Sequence, residues 1–112
     1  MIKGIGCDIV DLRRLDVDNE KFVLKVLTTN EYQIFKNKKH FKQKREFLGG
    51  RFAAKEAFFK AYGIAHQLVS FQDIEILNDK TGKPVINHPH VHLSIAHEND
   101  YAIAYIIIEK EE

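Results

Sequence analysis

The stretch Tyr101–Glu109 constrains the fold more than any other part of the chain. Read as a strand, it places Tyr101, Ile103, Tyr105 and Ile107 on one face and Ala102, Ala104, Ile106 and Ile108 on the other, so both faces are apolar. Such a strand belongs at the centre of a sheet with cover on both sides. In a chain of 112 residues, helices can supply one cover, and a neighbouring subunit is expected to supply the second. A hydrophobic content of 45% is high for a domain of this size and points the same way.

The covering helix is expected from near Phe41 to Tyr62, with Gly63 as its C-terminal cap. Phe47, Ala54, Phe58 and Ala61 recur at helical spacing, and Phe52 and Phe59 widen the stripe. Arg51, Lys55, Glu56 and Lys60 are assigned to the remaining surface. Arg51/Lys55 and Glu56/Lys60 are i,i+4 pairs, each projecting from one face.

Around this pair of elements the chain reads as follows. Met1–Val10 alternates as a strand, with Ile5, Cys7 and Ile9 opposite Gly4, Gly6, Asp8 and Val10. Asp11 caps a short helical segment, Leu12–Leu15. Lys21–Leu27 is a short amphipathic helix, and Thr28 with Glu31 forms a capping box that opens a helix to about Asn37, burying Ile34 and Phe35. Phe71–Leu77 alternates as a strand, Asn78–Lys83 turns, and Pro84–Asn87 returns as a hairpin arm. Val91–His97 is the next strand, followed by the turn Glu98–Asp100. The expected class is α+β: one domain over residues 1–112, with an N-terminal strand and helices, one of them long, packed on a small, mostly antiparallel sheet.

A net charge of +1 argues against a general nucleic-acid binder. The charge is uneven, however: Lys36–Lys55 is strongly basic and the C-terminal tail acidic, which suits an acidic partner or phosphates. The single cysteine, Cys7, excludes a disulfide framework and reads as a small buried hydrophobe. There is no signal-peptide pattern, and Tyr101–Ile108 is too short to span a bilayer, so a cytoplasmic protein without membrane association is expected.

Three places carry chemistry. Asp8 shares its strand face with two glycines, which leave space beside a carboxylate or admit another backbone closely. The helix supplies Glu56, Lys60, Arg51 and Lys55. His97 ends a strand whose face it shares with Val91, Leu93 and Ile95. His88, His90 and His92 have i,i+2 spacing, but Pro89 interrupts them and neither thiolate nor carboxylate accompanies them, so they make a poor zinc site. Two carboxylates without thiolates suit a hard cation such as magnesium, which keeps waters and accepts phosphate oxygens, and the nearby cations would neutralise further phosphate charge.

Gly4-Ile5-Gly6-Cys7-Asp8, then Phe47-Leu48-Gly49-Gly50-Arg51-Phe52-Ala53-Ala54-Lys55-Glu56-Ala57-Phe58-Phe59-Lys60-Ala61, then Gly82-Lys83-Pro84 and Leu93-Ser94-Ile95-Ala96-His97 closely resemble the holo-acyl-carrier-protein synthases, the small bacterial 4′-phosphopantetheinyl transferases. The resemblance runs essentially end to end. It implies the fold of that family and transfer of the phosphopantetheine arm of coenzyme A to a serine of apo acyl carrier protein. It further implies that Asp8 and Glu56 hold Mg²⁺ and that Lys60 contacts the phosphates and assists transfer. Arg51 and His97 are implied as coenzyme A phosphate contacts. Arg14, extended by Arg13, Lys21 and Lys25, is implied as the patch for the acidic carrier protein. The family is a homotrimer with active sites at subunit interfaces. Two departures stand out: Gly63-Ile64-Ala65-His66 replaces the usual Gly-Thr-Gly-Ile, and Glu98 follows His97 where Ser or Thr is usual. A non-catalytic trimeric binding module with a degenerate coenzyme A site is the alternative, which would have no need to keep Asp8, Glu56 and Lys60 together.

Overall fold

The computed structural model describes residues 1–63 and 70–111. In chain order the described elements are β1 (Ile2–Asp11), α1 (Glu20–Val26), α2 (Thr29–Lys36), α3 (Phe41–Tyr62), β2 (Ile76–Asn78), β3 (Pro84–Ile86), β4 (Val91–Glu98) and β5 (Tyr101–Glu109). Short 3-10 turns occupy Leu12–Arg14 and Phe71–Asp73. As expected, β5 is central: the main sheet is ordered β1-β5-β4, antiparallel throughout, and β2 pairs with β3 as a separate hairpin.

The two faces of β5 have different fates. Ala102, Ala104, Ile106 and Ile108 lie against α3 and are at most 2% exposed, whereas Tyr101, Tyr105 and Ile107 are 45%, 54% and 40% exposed. Ile5 and Ile9 of β1 continue this open face at 69% and 62%. Cys7 lies between them and is exposed, contrary to the buried position expected from its apolar neighbours. The alternation of β1 decides this, because Gly4, Gly6, Asp8 and Val10 turn toward the helix and Cys7 must turn away.

Glycine brings β1 and α3 together. A Cβ on Gly4 would collide with the carbonyl oxygen of Ala61, and one on Gly6 with that of Ala57. Strand and helix therefore touch backbone to backbone, stepping two residues along β1 for each turn of α3 in the opposite direction. The next side chain on that face of β1 is Asp8.

The middle of α3 is enclosed on more than one side, because α1 and α2 pack against it opposite the sheet. One core joins Ala53, Ala57 and Phe58 to Val10, Ala104 and Ile106. A second joins Phe47 and Leu48 to Val23, Val26, Leu27 and Phe35, with Leu15 and Phe52 packing on both. Lys55 and Arg51, expected at the surface, are consequently buried, at 0% and 7% exposure. The Lys55 ammonium spends its three donors on Glu31 Oε1 (2.6 Å), the Val26 carbonyl (2.8 Å) and the Phe71 carbonyl (3.1 Å). Burial pushes this lysine below its usual range, against the pull of Glu31. Glu31 also accepts from the backbone N–H groups of Thr28 and Ile76, both at 2.8 Å. The capping box read from sequence thus has a second purpose: its glutamate joins α2, α3 and β2.

Phe71–Asp73 is a 3-10 turn where the alternation predicts a strand. Ser70 Oγ accepts from Gln72 N–H while Asp73 Oδ2 accepts from Ser70 N–H, a capping box that competes with extension. Gln72 then donates to the Leu24 and Leu27 carbonyls at 2.7 Å, satisfying the end of α1. Gly63 closes α3 in the left-handed conformation, φ 66°, as expected. Residues 64–66 of the altered motif lie outside the described residues.

Candidate active site

The β1–α3 crossing assembles the first cluster. Lys60, three residues beyond the Gly6–Ala57 contact, reaches back across β1, and its ammonium donates to Asp8 Oδ1 (2.8 Å) and to the Cys7 carbonyl (3.1 Å). Glu56, one helical turn before Lys60, projects from the same side of α3. The hydrogen bond to Asp8 raises the Lys60 pKa, with a further contribution from the charge of Glu56. One cation therefore lies within the field of both carboxylates. The Asp8 side chain is 18% exposed and that of Lys60 55%, so the cluster opens to solvent beside a cavity of about 540 Å³ lined by Ile5, Cys7, Tyr105 and Ile107.

The raised Lys60 pKa has a defined consequence. A lysine whose folded pKa exceeds its unfolded value adds stability that is complete below the unfolded pKa and is lost as pH rises through the folded one. At 55% exposure this contribution is small, but the charge state matters to the site. NMR titration of the Lys60 side chain is expected to give a midpoint above the ordinary lysine value of about 10.4, falling toward it in Asp8→Asn. An unchanged midpoint in that variant would remove the Asp8 hydrogen bond as its cause.

Arg51 and His97 are not brought to this cluster within one chain. Arg51 precedes Lys60 by about two and a half helical turns and so points to the opposite side of α3. Its guanidinium donates to the Ile76 carbonyl (3.1 Å) and Asn78 Oδ1 (2.6 Å) and lies over the Phe47 ring at 4.3 Å. Asn78 in turn donates to the Gly82 carbonyl at 2.7 Å, so Arg51 braces the turn that carries Gly82-Lys83-Pro84. Burial lowers the Arg51 pKa, opposed by Glu31.

His97 lies on β4, two strands from Asp8, since Asp8 pairs with Ala104 and Ala104 with Ile95. Its Nδ1 is 3.1 Å from Glu46 Oε2 of α3. Glu46 escapes a reading of the sequence, where it stands as a lone acid within a basic run; only the strand-to-helix register identifies its partner. Strand alternation turns Glu98 to the face opposite His97, so the departure from the usual Ser or Thr does not set an acid beside that imidazole.

Of the basic residues expected to face a partner, Arg13, Arg14, Lys21 and Lys25 are all exposed. Arg13, though exposed, also pairs with Asp11, by two side-chain hydrogen bonds of 3.0 and 2.9 Å, and approaches Asp100 at 3.8 Å. The Arg13 guanidinium holds the Asp11 carboxyl below its usual range. The histidine group is dispersed: His88 packs on Phe58, His90 approaches Glu111, and His92 lies 3.1 Å from Glu109 Oε2. Among the described residues no group of three or more His, Cys, Asp or Glu side chains is placed to hold a metal. No described helix is long and apolar enough to cross a membrane.

Comparison with known proteins bears on this arrangement. The chain is 49% identical to the holo-[acyl-carrier-protein] synthase of Geobacillus sp. (strain WCH70), covering 98% of each chain. It is 50% identical to that of Enterococcus faecalis over 99% of this chain and 100% of the relative. The crystal structure of a Bacillus anthracis holo-(acyl-carrier-protein) synthase in complex with CoA (3′,5′-ADP) superposes with a TM-score of 0.91 at 43% identity, covering 99% of each chain. Residues 4–106 match the model of the 4′-phosphopantetheinyl transferase superfamily, and the chain belongs to that family.

Proposed function

We propose that this chain transfers the 4′-phosphopantetheine group of coenzyme A to a serine of apo acyl carrier protein, releasing adenosine 3′,5′-bisphosphate. The observation that carries the reading is the Asp8–Lys60–Glu56 cluster at the β1–α3 crossing, in a chain whose relatives bear the name of that activity. The donor set fits magnesium: two carboxylates from adjacent elements, all-oxygen, with no thiolate or imidazole among them. Asp8 and Glu56 would hold the ion. When bound, it neutralises the pyrophosphate and polarises the transferring phosphoryl group.

This chain's residues then act as follows. Lys60, kept cationic by Asp8, donates to the phosphates and stabilises charge as it develops on the leaving group. The carrier serine oxygen bonds to the β-phosphorus as the bond to the bridging oxygen breaks, and adenosine 3′,5′-bisphosphate departs with that oxygen. The serine proton passes to Glu56 or to a water. Positioning and electrostatics supply most of the acceleration.

Arg51 and His97 contact the coenzyme A phosphates in this reading. Their distance from Asp8 within one chain is reconciled by a homotrimer, in which a neighbour supplies them across the interface. The open face of Ile5, Ile9, Tyr105 and Ile107 is the surface such a neighbour would cover. Sedimentation equilibrium at micromolar concentration should give three chains; a monomer would exclude the shared site. The reaction belongs with fatty acid biosynthesis in the cytoplasm, where the 1–112 domain meets both substrates.

Arg14, exposed at the end of the Leu12–Arg14 turn, presents positive charge to the acidic carrier protein. Arg14→Glu is expected to raise the KM for the carrier roughly tenfold, more at low salt than at high salt, and to leave the KM for coenzyme A unchanged. An unchanged carrier KM would count against this surface. The activity itself is tested by following release of adenosine 3′,5′-bisphosphate from coenzyme A, which should require both apo carrier protein and a divalent cation.

A further inference from the structure

The contact between β4 and α3 repeats the logic of the β1 contact. Gly50 has no Cβ, and one placed there would press on Ile95 Cγ2 at 3.0 Å, so Ile95 settles directly onto the helix. Two residues further along β4 comes His97, and one turn earlier on α3 comes Glu46. Strand and helix periods bring the two side chains together, with Nδ1 to Oε2 at 3.1 Å. The helix is fixed here by further contacts: Arg45 Nε donates to the Leu12 carbonyl at 3.1 Å, and Gly49 makes room for the Leu12 side chain. The Glu46 side chain is 18% exposed and the imidazole 50%. The carboxylate is thus largely shielded beneath a half-exposed ring.

We propose that Glu46 is a positioning residue for coenzyme A binding, accepting a hydrogen bond from Nδ1–H of His97 and so presenting Nε2 to a phosphate of the cofactor. The inference rests on the reading of His97 as a phosphate contact. With Glu46 accepting at Nδ1, a neutral ring would turn a bare Nε2 lone pair toward the phosphate, so the form that meets the anion is the imidazolium. When the ring is protonated, both nitrogens donate: Nδ1 to Glu46, Nε2 to the anion. Glu46 also limits ring rotation, so less freedom is lost when phosphate binds. An acid near a phosphate would repel it if exposed, but here the imidazole stands between the two. Of the two acids close in sequence to His97, alternation turns Glu98 to the other face, and Asp100 lies 3.8 Å from the Arg13 guanidinium.

The test compares Glu46→Gln, Glu46→Ala, His97→Ala and the Glu46→Ala/His97→Ala double variant, with coenzyme A varied at saturating carrier protein. Melting temperatures serve as the control for folding. His97→Ala should raise the KM for coenzyme A roughly tenfold, the scale of a lost hydrogen bond to a charged group. Glu46→Ala should raise it several-fold with little change in kcat. Glu46→Gln keeps an acceptor for Nδ1–H and should stay nearer the wild type. The double variant should be no worse than His97→Ala alone. Long-range ¹H–¹⁵N spectra of the His97 ring should show Nδ1–H in the wild type and Glu46→Gln, and a shift toward Nε2–H in Glu46→Ala.

If His97→Ala leaves the KM unchanged, the phosphate-contact reading fails and the inference falls with it. If His97→Ala raises the KM while Glu46→Ala does not, or the double variant multiplies the two effects, Glu46 does not act through His97. An unaltered ring spectrum in Glu46→Ala would overturn it independently of coenzyme A.

Discussion

Asp8→Ala and Glu56→Ala are each expected to abolish phosphopantetheinyl transfer, with losses in kcat of at least the order of 10²–10³, while the protein remains folded. The two carboxylates come from different elements and are assembled only by the β1–α3 crossing, so neither can substitute for the other. In the structure their common neighbour is the Lys60 ammonium, 2.8 Å from Asp8. Removing Asp8 frees an exposed lysine, and a surface pair of this kind is worth at most about 1 kcal/mol, so the fold survives. Steady-state transfer assays with thermal melts as controls separate the two effects. Near-wild-type turnover in either variant would remove that carboxylate from the chemistry.

The second large effect concerns stability. Glu31→Ala is expected to destabilise the protein by about 3–5 kcal/mol, because it leaves the ammonium of Lys55 buried at 0% exposure without its counter-charge. It also orphans the N–H groups of Thr28 and Ile76, which Glu31 accepts at 2.8 Å. Replacing both members of the ion pair, as in Glu31→Leu with Lys55→Met, should recover only part of the loss. Buried pairs can often be exchanged for apolar residues without penalty, but here two backbone donors would remain unsatisfied. Denaturant unfolding checks both variants. A loss below about 1 kcal/mol in Glu31→Ala, the ordinary scale of one hydrogen bond, would show that the network adds little to the fold.

These two effects arise from neighbouring turns of one helix, and the sequence distinguishes them poorly. Lys55 and Lys60 both sit in i,i+4 relations with charged residues, and composition favours a solvated face for each. Lys60 is legible because it lies one turn from Glu56 within a motif of known order. Lys55 is misread because its burial depends on α1 and α2 covering the helix on the side away from the sheet, a tertiary fact that helical periodicity cannot carry. Cys7 is misread for a related reason: its neighbours are apolar, yet the glycines opposite claim the helix and turn the cysteine to the open face. Phe71–Asp73 shows a third kind of competition, in which a local Ser70/Asp73 cap prevails over alternation.

What the sequence does carry well are features with one strong local cause. The bounds of α3, the left-handed Gly63 cap, the Thr28/Glu31 capping box and the central place of β5 all follow from patterns within a few residues. The pairing of Asp8 with Lys60 spans 52 residues and becomes visible only once Gly4 and Gly6 set β1 onto α3. The Glu46–His97 pair has the same origin on the opposite edge of the sheet. In both cases a glycine removes a Cβ from a strand–helix contact, and the functional side chain sits one step beyond.

Transfer is read most directly from the intact mass of an apo acyl carrier protein after incubation with this protein, coenzyme A and Mg²⁺. The carrier is expected to gain the mass of one phosphopantetheine group, a gain absent when chelator is added or when Asp8→Ala replaces the wild type. An unmodified carrier under conditions where the wild-type protein is folded and binds coenzyme A would contradict the proposed transfer.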